Sequence, residues 1–190
     1  GYRGKLQYAL LQHAVDDSKA NRAIEADNRA DGLLAEPVSN PTLSNLTIIG
    51  NAYDSSDDSE GILFRYNSHG YITNSIVTGP PLMGECLDID ADTTASATAG
   101  AIKITHTVVA CENGENFKHA MNFNHELWFL SQAGNSVAAG RADVLDGIYS
   151  ITNTEAADLS GSDAFFEKTN FIGAVSKDND WTEGWSLLPR

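Results

Sequence analysis

The sequence predicts an all-β fold, a parallel β-helix with long turn loops, from three observations. Four apolar strand-like runs can be laid over one another, each is followed after a turn by a second run, and no helical pattern separates the members of a pair. The first runs are Gln7-Tyr8-Ala9-Leu10-Leu11-Gln12, Asn45-Leu46-Thr47-Ile48-Ile49, Asn74-Ser75-Ile76-Val77-Thr78 and His106-Thr107-Val108-Val109-Ala110. They are rich in β-branched residues and weak in alternation, as a strand packed in an interior should be. The second runs are Ile24-Glu25-Ala26-Asp27, Ile62-Leu63-Phe64-Arg65, Leu87-Asp88-Ile89-Asp90 and Phe117-Lys118-His119. Here apolar residues mostly hold the first and third places, which is the period of a strand with one buried face.

The spacing turns these runs into a repeat. Tyr8, Asn45, Asn74 and His106 are separated by 37, 29 and 32 residues, and Ile24, Ile62, Leu87 and Phe117 by 38, 25 and 30. The two series lengthen and shorten together, so one unit recurs with variable loops. Such a unit buries too little surface to fold alone and must stack on its neighbours. An ordinary β-sandwich with coincidental spacing is the alternative. The predicted coils cover about 5–32, 43–68, 72–94 and 101–125, in one domain spanning 1–190. A closing region follows at about 136–190. Within it, Val137, Val144, Leu145 and Ile148 have the spacing of a short helix near 137–148, which Gly140 weakens. Phe165 to Val175 reads as a further strand, and Trp181 and Trp185 as an aromatic cap that ends the solenoid, or else as sugar-stacking rings.

The segments GYRGKLQYALLQ, AIEADN, NPTLSNLTIIG, GECLDIDADTT and FIGAV…DWTEGW resemble the C-terminal half of a group of mostly uncharacterised secreted or lipid-anchored bacterial proteins. The likeness runs through nearly all of the chain. It implies a right-handed parallel β-helix, and it implies that further coils precede the equivalent of Gly1. No activity is carried over residue by residue. Upstream coils or another protein are therefore expected over the first coil, whose edge would otherwise invite aggregation.

Composition narrows the function. The net charge of −14 disfavours nucleic acid and anionic membrane surfaces, because both are bound through Lys and Arg. No run approaches the roughly 18 apolar residues of a membrane span. Cys86 opens the second strand of the third coil and Cys111 closes the first strand of the fourth, so stacking predicts a disulfide and hence a secreted, periplasmic or outer-surface location.

Carboxylates supply the next candidates. Aligned second strands place Asp27, Arg65 and Asp90 in one column and Glu25, Asp88 and Lys118 in another. A sugar-acid lyase would use such acids to hold a cation and an Arg or Lys as base, which needs a depressed pKa. With 12 basic residues against 26 acidic ones, a salt-bridged ladder is the simpler account. Asp88, Asp90 and Asp92, and separately Asp27, Asn28 and Asp31, are oxygen-rich enough to contribute to a Ca²⁺ site, although each cluster supplies only part of the six to eight ligands. The acidic run Asp54 to Glu60 reads as a solvated turn.

Histidines and nucleophiles add little. His119 and His125 flank Met121, but their spacing matches neither a helical His pair nor a zinc-protease motif. His106 reads as a stacked turn residue. No nucleophile elbow or phosphate loop is present. Two functions follow: a non-enzymatic extracellular scaffold that binds a glycan, ion or protein, or a fragment of a carbohydrate-active enzyme. They differ in one arrangement. A substrate cleft would gather Arg65, Lys118, His106 and aromatics such as Trp181 and Trp185 on one face, and a scaffold would scatter them.

Overall fold

A computed structural model describes residues 1–14, 21–50, 59–81, 83–112 and 116–186. Its strands are β1 (Lys5–Gln12), β2 (Arg22–Asp27), β3 (Thr42–Ile49), β4 (Glu60–Arg65), β5 (Gly70–Thr73), β6 (Ile76–Gly79), β7 (Glu85–Ile89), β8 (Ile102–Thr105) and β9 (Val108–Cys111). The short β10 (His119–Ala120), β11 (Phe123–Asn124), β12 (Ser136–Val137), β13 (Leu145–Asp146) and β14 (Tyr149–Ser150) follow. Two brief helices, α1 (Thr94–Thr98) and α2 (His125–Leu130), interrupt them. The strands of the repeat pair in parallel in two sheets. One runs β12-β9-β6-β3-β5-β8 with β1 on β3, and the other runs β2-β4-β7.

The register joins the two residue series read from the sequence. Ile24 lies opposite Ile62, Ile62 opposite Leu87, and Leu87 bridges to Phe117. In the larger sheet, the pairs on either side place Tyr8, Asn45, Asn74 and His106 at one level. All four have left-handed backbone, with φ of 64°, 54°, 52° and 47°. A fifth member was not foreseen. Ser136 pairs with Val108, which puts Gly134, at φ 71°, under His106. The column is therefore a corner at which each coil turns, and Asn and Gly suit it because they enter this conformation at little cost.

Between the sheets lies a single apolar cluster that includes Leu46, Ile48, Ile62, Phe64, Leu87 and Ile104. Each such side chain contributes roughly 1.5–3 kcal/mol by leaving water. Cys86 and Cys111 are bonded inside it, with their α-carbons 5.9 Å apart. Coil stacking thus juxtaposes them as the repeat alignment required.

Ile49, Ile76, Val108 and Ala110 face outward into a second cluster with Val144, Leu145 and Ile172. This explains why the first runs alternate so weakly: both faces of that half-sheet are covered. The cover is the C-terminal segment, which runs as an irregular strap back towards the first coil. Asn45 Nδ2 donates to the Phe171 and Gly173 carbonyls at 3.1 and 3.2 Å, and Ala174 N donates to Thr47 Oγ1. Asn74 exchanges two bonds with Ala157, Gln7 exchanges two with Glu167, and Lys5 pairs with Asp163.

Several expectations for this region are corrected. Residues 137–148 form no helix; Ser136 and Val137 extend the larger sheet, and a single 3-10 turn at Arg141–Asp143 follows. Val144, Leu145 and Ile148 are nevertheless buried. Residues 165–175 form no strand, because their backbone bonds are scattered over the Asn45 side chain, the Asn74 carbonyl and the Ser150 amide and make no ladder. Trp181 packs on the strap beside Ile148, Ala174 and Val175 and Trp185 lies against it, so among the described residues these two tryptophans sit on the flank and do not form the expected cap. The described residues do not close into a continuous solenoid. The fourth coil's second strand shrinks to the Phe117 bridge as the chain turns into β10, β11 and α2.

The two ends of the stack differ. At β8, Gln132 Oε1 accepts from Ile104 N and Asn135 Nδ2 donates to Ile104 O, so side-chain amides satisfy the sheet edge. At the first coil, among the described residues, β1 pairs only with β3 and β2 only with β4, and Ala9, Leu11, Ile24 and Ala26 are just partly buried.

Candidate functional site

The outer face of the three-stranded sheet collects most of the charged residues singled out from the sequence. Asp27 lies opposite Arg65, and the same register carries Arg65 to Asp90. Arg65 grips Asp27 through two bonds, Nε to Oδ1 at 2.7 Å and Nη2 to Oδ2 at 3.1 Å, and also pairs with Glu25. These bonds, that to Asp27 foremost, raise the Arg65 pKa above the ordinary value for its type. The guanidinium is thus the reverse of a catalytic base, which must give up its proton readily.

Neighbouring positions behave alike. Arg22 pairs at 2.7 Å with Glu60, whose side chain is only 1 % exposed, and Lys118 pairs with Glu85 at 3.3 Å. Glu60 and Glu85 are neighbours in register, so Arg22 and Lys118 offset two like charges stacked about 4.8 Å apart. Ser59 and Glu60, expected in a solvated turn, are buried, whereas Asp54, Asp57 and Asp58 lie outside the described residues.

The face leads into a pocket of about 260 Å³ lined by Asn116, Lys118, His119, Asn124, His125 and Glu126. His125 is 2 % exposed. Its Nε2 lies 3.1 Å from both the backbone nitrogen and the carbonyl of Ile89, and 3.6 Å from Asp88 Oδ1. Burial pushes the His125 pKa down; the carbonyls of Ile89 and Phe123 oppose this, and nearby His119 and Lys118 add to it. The imidazole is held neutral as part of the core, and nothing in the HELW segment signalled this.

The oxygen clusters proposed for Ca²⁺ are engaged within the protein. Asp92 Oδ1 accepts from Tyr66 N and Thr93 Oγ1, Asn28 donates to the Leu33 and Ala35 carbonyls, and Asp31 pairs with Arg29 in solvent. Among the described residues no three His, Cys, Asp or Glu side chains gather as a metal set. His106 lies elsewhere, on the corner of the other sheet. Its Nδ1 is buried and makes no hydrogen bond, in contrast to the satisfied turn residue expected. Trp181 and Trp185 lie on the strap, with ring centroids 5.7 Å apart and Trp185 69 % exposed.

A family model described as a pectate-lyase-like β-helix domain matches residues 1–186. The chain belongs to the pectate-lyase-like β-helix family. Comparison with the curated proteins and with the solved structures found no match. No helix among the chain's described residues is long and apolar enough to cross a membrane.

Proposed function

We propose that this chain is a non-catalytic scaffold of the cell exterior, and that its stacked coils bind a glycan. One observation carries the proposal: of the basic groups that the sequence offers for sugar-acid cleavage, Arg65 and Lys118 are held in ion pairs and His106 lies apart from them. Arg65 is clamped by Asp27 and Glu25, and Lys118 is paired with Glu85. The buried disulfide fits an oxidising compartment. The singly paired β1 and β2 fit a protein partner or preceding coil over the first coil.

A second reading, a carbohydrate-active enzyme, is favoured by the family match and by the pocket beside Lys118. Ca²⁺ enters only there, through Asp88, Asp90 and Asp92, and a rise in Tm on adding Ca²⁺ would speak for it. A panel of oligosaccharides and polysaccharides, scored for both binding and product release, separates the two. Binding without release is expected. Release of unsaturated or newly reducing oligosaccharides sinks the scaffold reading.

A further inference from the structure

Before the corner the strap reaches the first coil, where Lys5 pairs with Asp163 and Gln7 bonds to Glu167, and its described bonds leave the later coils of this half uncovered. Before the corner, Thr42, Tyr71 and Lys103 line up in register, on the side away from the core residues Leu43, Ile72, Ile102 and Ile104. Two concavities lie along this half. One, of about 560 Å³, includes Asn40, His69, Tyr71 and Lys103, and the other, of about 420 Å³, includes Lys103, Trp128 and Gln132. They share Gly100, Lys103 and Thr105, so they form one trough along the stacking direction.

Among the described residues, two groups in the trough are left without a protein partner. Lys103 is exposed and makes no ion pair among the described residues, while Lys5, Arg22, Arg29, Arg65, Lys118, Lys168 and Lys177 all do. Gln132 uses Oε1 on Ile104 N, but its buried Nε2 has no hydrogen-bond partner. An unsatisfied buried donor costs roughly 1–3 kcal/mol, which an acceptor in the trough would recover. Two aromatic side chains complete the lining with their polar atoms already anchored: Tyr71 Oη lies 3.1 Å from Thr105 Oγ1, and Trp128 Nε1 donates to the Ala97 carbonyl.

We propose that this trough is a glycan-binding site for a largely neutral oligosaccharide that carries an isolated carboxylate. The inference rests on the scaffold reading and assigns it a face. Aromatic rings with fixed polar ends pack on apolar sugar faces, while Gln132, Thr105 and Asn40 serve the hydroxyls. From β3 through β5 and β8 to Gln132 the trough crosses stacked positions about 4.8 Å apart, a spacing close to the length of one pyranose. A single cation suits a single acidic group. A uniformly anionic chain would meet the repulsion of a protein of net charge −14.

The test is calorimetric titration of the whole chain with three oligosaccharide sets: neutral, neutral with one uronate, and homopolymeric uronate. Lys103→Ala should weaken binding of the singly acidic set on the order of tenfold, as expected for losing a charged donor, and leave neutral ligands nearly unaffected. Lys103 is exposed, so the Tm of Lys103→Ala should hold, whereas Gln132→Glu keeps the acceptor for Ile104 N but buries a charge in place of the donor and should lower both binding and Tm. Lys177→Ala, an equal charge change on the strap, should bind as the wild type does. If Lys103→Ala binds normally and Lys118→Ala does not, the site is the other pocket and the trough is overturned while the scaffold reading stands. Equal affinity for neutral ligands, or tightest binding of the homopolymer, also overturns it. Failure of the wild-type chain to bind any glycan removes the scaffold reading itself.

Discussion

Asn45 offers the sharpest test of how strap and coils hold together. It is fully buried, takes φ 54°, and directs Nδ2 at the Phe171 and Gly173 carbonyls and Thr169 Oγ1. Asn45→Ala places an ordinary side chain in left-handed backbone, at about 1–2 kcal/mol. It also strips donors from carbonyls 126 and 128 residues away, at roughly 1–3 kcal/mol. Asn45→Gly removes the first cost and retains the second. Asn45→Ala should therefore lose roughly 2–5 kcal/mol and Asn45→Gly roughly 1–3. For a chain of this length each kcal/mol lowers Tm by about 2–4 °C. Urea and thermal unfolding measure both variants, and limited proteolysis should cut between residues 150 and 175 sooner in each. A glycine variant as stable as wild type would refute the strap argument. An alanine variant no worse than the glycine one would refute the corner argument.

Three further outcomes are expected. Replacing Cys86 and Cys111 by Ala should destabilise by about 3.5 kcal/mol on the chain-entropy estimate for a separation of 25 residues, and equal denaturation midpoints would contradict it. Burial lowers the His125 pKa, so stability is complete above the unfolded value near 6.5 and falls as pH drops below it, because the unfolded chain takes up a proton that the folded one resists. His13, also lowered chiefly by burial, acts in the same direction. His125→Gln should flatten the Tm slope between about pH 7 and 5, and an unchanged slope would remove His125 as the cause. Gly134→Ala meets both the φ of 71° and a contact 2.5 Å from His106 Cδ2, and should cost about 2 kcal/mol or more. Partial rescue by His106→Gly would place the clash in the corner column.

Much of the coil architecture was legible in the sequence. Alternation at Ile62, Phe64, Leu87 and Ile89 marks the inner face of a strand, and the paired spacings align one coil with the next. That alignment sufficed to bring Cys86 to Cys111 and Asp27 to Arg65. The candidate site was legible only in part. Glu60 and His125 look like solvated polar residues, and only the stacked Arg22 and the Ile89 backbone turn them into buried partners.

What the sequence by itself determined is therefore the repeating backbone, because strand pairing imposes a period of two and a fixed spacing between coils that any local stretch must obey. What only the tertiary structure decided is everything the strap does: the outward burial of Ile49 and Val108, the missing strand at 165–175, the flank position of Trp181, and the half-sheet left open around Lys103. Those contacts join residues far apart in the chain, 83 positions for Asn74 and Ala157 and 128 for Asn45 and Gly173, through irregular backbone. Such bonds impose no period on either partner and leave no mark that local composition can carry.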